Sequence, residues 1–508
     1  MFGLYNFFEA NAINQPDKTA IVYAGERLSY SQLQKRVNSL ADSLSKLGCK
    51  SGDKVAFMFR NGEEFVEIFY AVQKLGAVCV PLCYMFEAEE LEYNLRLISC
   101  DWLLYDGRYI PLINEVKPKL DTVKAYIHTG SEAAQGEYLL DTLLRDGCDD
   151  WVCGCSRTAD DDAMYLFTSG STGRAKCVVH SFQNLSMFVT LPMTSGATFF
   201  PDDVMLYYAP LFHLAGVTYM MYLMSVGGTL VLVDRFDTGE ILHLFSEEKV
   251  TQTFLIPPVL ATRLSEHPDF GKYDLSSMRY VIMSGGSNTK KFGELVYGMF
   301  PNTKISNTYG MSERAANTII CLTREEFEEN PTLINSVGKV TQFGQIKLMD
   351  DSGNETDFGE AYAKCPGMFK GYLNMPDAFD NGWFPTGDIL RRDSDGYFYF
   401  MDRKKDMIKT GGENVFSIEV ENVLRQHPAV QNCAVVGLPD EMFQEAVSAA
   451  VVKKLGVSLT EKELIDFCRQ HMPSYKKPRN VFFVDSLPTS ASGKIKKSEL
   501  RAQLRKLL

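Results

Sequence analysis

The residues from Tyr165 to His180, Tyr-Leu-Phe-Thr-Ser-Gly-Ser-Thr-Gly-Arg-Ala-Lys-Cys-Val-Val-His, carry the densest set of groups able to do chemistry. An apolar strand over 163–167 is predicted to feed a loop of Thr168, Ser169, Gly170, Ser171, Thr172 and Gly173, followed by Arg174 and Lys176. Glycines free backbone N–H groups to converge on an anion, and hydroxyls with a flanking cation complete a phosphate cradle. The spacing is not that of a Walker A loop, where four residues separate the glycines before Gly-Lys-Ser/Thr. Here two residues separate Gly170 from Gly173, and Lys176 follows three later. On local composition, a Ser/Gly-rich turn between two strands explains the stretch equally well.

Other stretches hold groups of similar promise, each with a plainer explanation. Tyr208-Ala-Pro-Leu-Phe-His213 ends on a histidine that an apolar core could simply bury. Ser284-Gly285-Gly286-Ser287 is a glycine turn after a strand at 280–283 whose backbone could lie flat along a purine. Asn307-Thr-Tyr-Gly-Met-Ser-Glu313 could be a turn leading into a helix with Glu in its first turn. Gly382-Trp-Phe-Pro-Thr-Gly-Asp388 ends on a carboxylate, which accepts two O–H donors at once and suits a vicinal diol. Lys409-Thr-Gly-Gly-Glu-Asn-Val415 and Pro488-Thr-Ser-Ala-Ser-Gly-Lys494 read locally as a turn and a Lys-rich tail.

Phe-Thr-Ser-Gly-Ser-Thr-Gly-Arg-Ala-Lys resembles the signature of the adenylate-forming ligases: acyl-CoA synthetases, luciferases and peptide-synthetase adenylation domains. The other stretches resemble further segments of that family, in family order, from His213 to Lys494, so the resemblance spans nearly the whole chain. It implies ATP, Mg²⁺ and coenzyme A as cofactors, with Ser169, Gly170, Ser171, Thr172, Gly173 and Lys176 around the phosphates. Gly285, Gly286 and Ser287 would flank adenine, Tyr309 would stack on it with Gly310 alongside, and Asn307 would hydrogen-bond its edge. Ser312 would lie beside phosphate and carboxylate, and Glu313 would help hold Mg²⁺, a hard cation that takes oxygen ligands. Asp388 and Arg403 would bind the ribose. Gly411 and Gly412 would let the pantetheine arm pass, with Phe443 against the nucleotide end of CoA. Thr168, His213, Glu313 and Lys494 are the expected catalytic residues, His213 gating the acyl pocket and Lys494 countering charge on the α-phosphate and attacking carboxylate.

Three positions depart from the family pattern: Ala175 stands in place of Pro, Cys177 in place of Gly, and Gln444 in place of Gly. The 208–213 stretch has no Asp to pair an α-ammonium, so a plain carboxylic acid is expected, and the apolar 214–222 and 310–312 suggest a fatty, aromatic or alicyclic acyl group. The implied reaction is that of an AMP-forming acyl-CoA synthetase for fatty or aryl acids. The alternatives are an acyl-AMP ligase loading a carrier-protein thiol, a luciferase-like oxidation, and an inactive nucleotide-binding homologue. The C-terminal Arg-Lys-Leu-Leu is no peroxisomal tripeptide, which counts against luciferase. A nicotinamide enzyme is disfavoured because no G-x-G-x-x-G follows an early strand.

The elements that must position these residues follow from pattern. At 508 residues, 45% apolar and 23% charged, the chain needs at least two cores. A net charge of −12 argues against nucleic-acid binding. The twelve cysteines form no CxxC pair, and with no basic leader they predict a reducing cytoplasm. The 204–233 stretch lacks Asp, Glu, Lys and Arg, but Pro210, Gly216, Gly227 and Gly228 divide it into strand, loop, helix and strand, so no integral membrane span is expected. Strands at 19–23, 55–59, 77–81, 102–105 and 253–256 alternate with helices such as 30–47 and 62–75, which predicts layered α/β with largely parallel sheets. After about residue 344 hairpin turns signal a β-rich subdomain. From 417 a small α+β domain is expected, giving a large domain over 1–403 and a small one over 404–508; the resemblance implies that the small one moves, hinged at Lys405. Monomer and homodimer are both compatible with the sequence.

Overall fold

Ser29 starts the first long helix by closing a capping box: its hydroxyl accepts from Gln32 N, and the Gln32 side chain accepts from Ser29 N. In the helix that follows, Tyr30–Lys46, residues Tyr30, Leu33, Val37, Leu40, Ala41 and Leu44 recur at helical spacing and are all buried. The structure, a computed structural model, describes every residue except 1–3, 154–156, 169–174, 191–198, 256–258, 285–287, 377, 490–494 and 508. Ser169, Gly170, Ser171, Thr172, Gly173, Gly285, Gly286, Ser287 and Lys494 therefore lie outside the described residues.

The chain divides into two compact units: Met1–Gln345 with Lys364–Trp383, and Ile346–Ala363 with Phe384–Leu508. In the first unit one sheet runs, in spatial order, Gly371–Tyr372, Lys176–Ser181, Asp162–Thr168, Val78–Pro81, Lys54–Met58, Trp102–Tyr105, Ala125–His128, Glu137–Leu139. Its centre is parallel, as βαβ alternation requires, and buried on both faces. The strands Asp162–Thr168 and Lys176–Ser181 are antiparallel, and their last register pair joins Thr168 to Lys176. On the outer edge Gly371 and Tyr372 pair with Val179 and Val178.

The second sheet of this unit centres on the parallel strands Thr19–Tyr23, Thr229–Leu232, Val204–Tyr207, Gln252–Phe254, Tyr280–Ser284 and Lys304–Met311. The charge-free stretch resolves as expected into strand Val204–Tyr207, helix Leu214–Val226 and strand Thr229–Leu232. That helix is buried on nearly every side, which is why its composition imitates a membrane span. No helix among the described residues is long and apolar enough to cross a membrane.

The second unit holds an antiparallel sheet ordered Glu355–Thr356, Gln345–Met349, Phe358–Lys364, Phe384–Arg392, Phe398–Arg403. Its other sheet pairs the long strands Val430–Asp440 and Gln444–Lys453; the latter also pairs with Ile408–Thr410, which continues to Glu413–Val415, and with Asn480–Phe483. Ile408, Val420, Leu424, Val435, Val447 and Leu464 form the core between this sheet and the helices Ser417–Leu424 and Glu461–His471. The strands expected at 433–437 and 446–453 are longer than predicted because cross-strand pairing extends them to the turn at Asp440 and Gln444.

Candidate active site

Glu313 sits in the tight connection between strands Lys304–Met311 and Arg314–Leu322. The Asn307–Glu313 stretch is thus a β-hairpin rather than a turn before a helix. Gly310 is required there by close approach: a Cβ on it would fall 2.0 Å from Ala315 O. The Tyr372 hydroxyl donates to Glu313 Oε1 at 2.5 Å, and Phe369 N donates to the Glu313 carbonyl at 3.0 Å. Lys176, at the end of the hairpin that begins with Thr168, places its Nζ 4.6 Å from the centre of the same Tyr372 ring. Three side chains from separate parts of the sequence therefore bring an anion and a cation to one place.

His180 fixes this arrangement from behind. It is fully buried, stacks edge-on against Phe188, and its Nε2 donates to Ser312 O at 2.8 Å. Burial holds its pKa down at about 4, so the ring is neutral at physiological pH. Cys177, the departure from glycine, is buried among Leu103, Tyr165 and Val179, and burial pushes its thiol up to about 12. The substituted side chain belongs to the core of the sheet.

Asn307 is buried, and an amide N–H of it donates to Ser336 O at 2.7 Å, which anchors the hairpin to the segment beside it. Tyr309 lies on the same strand and is mostly covered. His213 caps the helix Leu214–Val226 and packs its ring 4.2 Å from that of Phe212. The loop before it is held by Asn61, whose Nδ2 donates to Ala209 O and Val233 O and whose Oδ1 accepts from Leu211 N. Tyr207, Tyr219, Tyr222, Phe199 and Phe254 form an aromatic cluster with neighbouring ring centres 5.6–6.4 Å apart.

In the second unit, strand register sets Asp388 opposite Arg403, and Arg403 Nε lies 2.7 Å from Asp388 Oδ1. Asp388 is buried while Arg403 is 45% exposed, so the carboxylate is held below the surface beneath its own counter-charge. The turn at Gly411 and Gly412, both at positive φ, is tied to the other expected CoA contact because Gly411 N donates to Phe443 O at 2.8 Å. The Phe443 ring packs on Gly411 and carries the Arg479 guanidinium 3.5 Å from its centre. Gln444 adopts φ 69°, the left-handed conformation that glycine would take without strain.

Sequence reasoning missed Tyr372, His180, Asn61 and Arg479. Each acts through a partner 36 or more residues distant in the chain. Only the Lys-Gly-Tyr context of Tyr372, following a β-rich run, offered a signal of a strand edge.

Within the first unit, the carboxylate of Glu313 and the ammonium of Lys176 gathered at Tyr372 are groups that suit a phosphate with its metal ion. Comparison with known proteins agrees. The family model of the AMP-binding enzymes matches residues 8–373, and that of their C-terminal domain matches 419–494. Feruloyl-CoA synthase of Amycolatopsis sp. is 33% identical, covering 98% of each chain. Long-chain-fatty-acid–CoA ligase FadD13 of Mycobacterium tuberculosis is 32% identical, over 94% of this chain and 93% of that protein. The crystal structure of the anthranilate CoA ligase AuaEII with anthranoyl-AMP superposes with a TM-score of 0.89 at 25% identity, over 100% of this chain and 98% of that one. The chain belongs to the AMP-binding enzyme family. It is an AMP-forming acid–thiol ligase, converting a carboxylic acid to acyl-AMP and then to acyl-CoA, and carrier-protein loading is not favoured.

Proposed function

We propose that the acid is a ring-bearing, apolar carboxylic acid and that the residues gathered above divide the two half-reactions between them. The observation that carries the choice of acid is the aromatic cluster against helix Leu214–Val226, the helix that begins after His213: Tyr219, half-buried, meets Tyr207, Tyr222 and Phe254. Flat rings stack on such a surface, whereas a flexible chain loses rotamer entropy against it. Feruloyl-CoA synthase and the anthranilate CoA ligase, by name enzymes of aromatic acids, support this reading.

In the first half-reaction the acid's carboxylate attacks the α-phosphate of ATP. The loop 168–176 and Lys176 bind phosphate, Asp388 and Arg403 bind ribose, and Lys494 neutralises charge that grows at the attacking oxygen. Glu313 would hold Mg²⁺, which screens the triphosphate. A single carboxylate held by one phenol fits that ion, because the phosphates bring most of its oxygen ligands; no group of three or more acidic, His or Cys side chains gathers among the described residues. In the second half-reaction CoA thiolate attacks the acyl carbon and AMP leaves, with Gly411, Gly412 and Phe443 along the path of the thiol arm. Residues 404–508 would turn about Lys405 between the two steps and keep water from the mixed anhydride. The enzyme would act in the cytoplasm as a monomer or homodimer.

The test is a panel of benzoic, cinnamic, alicyclic and straight-chain acids, scored by acid-dependent pyrophosphate release and by AMP formation with CoA or with a pantetheinylated carrier protein. Aryl acids with CoA should give the highest kcat/KM. A preference for straight-chain acids of ten or more carbons overturns the assignment of the acid.

A further inference from the structure

Lys176 and Glu313 carry opposite charges into a half-buried setting, yet they form no ion pair with each other. Each instead engages Tyr372, the cation over the ring face at 4.6 Å and the carboxylate at the hydroxyl at 2.5 Å. Tyr372 is held where it is by its backbone. Gly371 and Tyr372 pair with Val179 and Val178, on the strand that begins with Lys176, while Phe369 N reaches back to the Glu313 carbonyl. Phe369 also packs edge-on against the Tyr372 ring, with centres 5.0 Å apart.

We propose that Tyr372 is a positioning residue that keeps the magnesium-side carboxylate and the phosphate-side ammonium from neutralising one another. The inference rests on the reading that Glu313 and Lys176 face Mg·ATP. Without the ring between them, a direct Lys176–Glu313 ion pair would satisfy both groups and draw both away from the nucleotide. The phenol holds the carboxylate in one place through a single hydrogen bond, with its other lone pairs still open to a cation. The ring face offers the ammonium a weak, reversible site that a phosphate displaces at little cost. Tyr372 thereby stores both charges in a form that ATP and its metal ion can take over.

Binding of a non-hydrolysable ATP analogue, measured by calorimetry across a Mg²⁺ titration, tests the role without relying on turnover. In Tyr372→Phe the cation–ring contact survives and the hydrogen bond to Glu313 is lost. The half-saturating Mg²⁺ concentration should rise about tenfold, the scale of one charge-assisted hydrogen bond, while analogue binding without Mg²⁺ stays as in the parent. In Tyr372→Leu both contacts are lost, and Mg²⁺-free binding should weaken as well. Excess Mg²⁺ should restore the kcat of Tyr372→Phe, with the KM for the acid unmoved. A parent whose analogue binding ignores Mg²⁺ overturns the reading of Glu313 and this inference with it. A Mg²⁺-dependent parent alongside a Tyr372→Phe variant with an unchanged half-saturation point overturns this inference alone.

Discussion

Asp388 is held in its hairpin by more than the Arg403 guanidinium: its own N–H donates to Thr386 Oγ1 at 3.1 Å, so its backbone and side chain are both fixed before a nucleotide arrives. Asp388→Asn keeps the shape and removes the charge. ATP affinity should fall by about tenfold or more, the scale for hydrogen bonds to a charged acceptor, with the KM for the acid unchanged. The parent should prefer ATP to 2′-deoxy-ATP and the variant should not; equal use of both nucleotides by the parent would remove Asp388 from the ribose. Asp388 and Glu313 were singled out in the sequence because each ends a short run that resembles a segment of the adenylate-forming ligases. Tyr372 and His180 were not. Tyr372 meets Glu313 across 59 residues and His180 meets Ser312 across 132, so their roles exist only once two sheet elements have been placed side by side.

Between elements, His180 links the strand leaving the phosphate loop to the hairpin that carries Glu313, and it does so as a neutral ring. Its folded pKa of about 4 lies below the unfolded value near 6.5, so the unfolded chain binds more protons between those limits. The stability this ring contributes is complete above about pH 6.5 and is lost as pH falls towards 4. Urea titrations at pH 7.5 and 5.5 should show parent stability falling relative to His180→Phe by about 1.4 kcal/mol between those two values. A gap that does not change with pH would mean that the ring titrates alike in the folded and unfolded chain. The hairpin turn at Gln444 makes a simpler case. A glutamine at φ 69° is strained, and Gln444→Gly should stabilise by about 0.5–1 kcal/mol, less than the full strain because glycine also loosens the unfolded chain. An unfolding midpoint that does not rise would show the strain already relieved. Element types were readable from periodicity, as the 204–233 stretch shows, whereas the hairpin at 304–322 was ambiguous. Its second strand, Arg-Ala-Ala-Asn-Thr, has neither clear alternation nor β-branched residues until Thr318, and pairing with its neighbour decides its state.

At the scale of the molecule, Lys405 occupies the turn between strands Phe398–Arg403 and Ile408–Thr410. The bonds closing that turn at Arg403 O come from Asp406 N and Met407 N, so a proline at 405 removes neither. Just before it, buried Asp402 accepts from Ser417 N and from the Ser417 hydroxyl, and Lys497 reaches that hydroxyl and Glu421. Lys405→Pro fixes φ near −65° and should confine residues 404–508 to one orientation. The expected outcome is acid-dependent pyrophosphate release close to that of the parent and thioester formation reduced to a small fraction. Acyl-CoA made at the parental rate would show that no rotation at this position is needed. The order in which the first unit is assembled has a further consequence, this one in time. That unit is interrupted: Met1–Gln345 is completed only by Lys364–Trp383, which supply the outer edge strand and the phenol against Glu313. A ribosome adding about 5–20 residues per second needs roughly 2–8 s to travel from Gln345 to Trp383. For those seconds the emerging chain has an uncapped sheet edge at Lys176–Ser181 and a Glu313 without its phenol, an edge open to mispairing until the rest of the unit arrives.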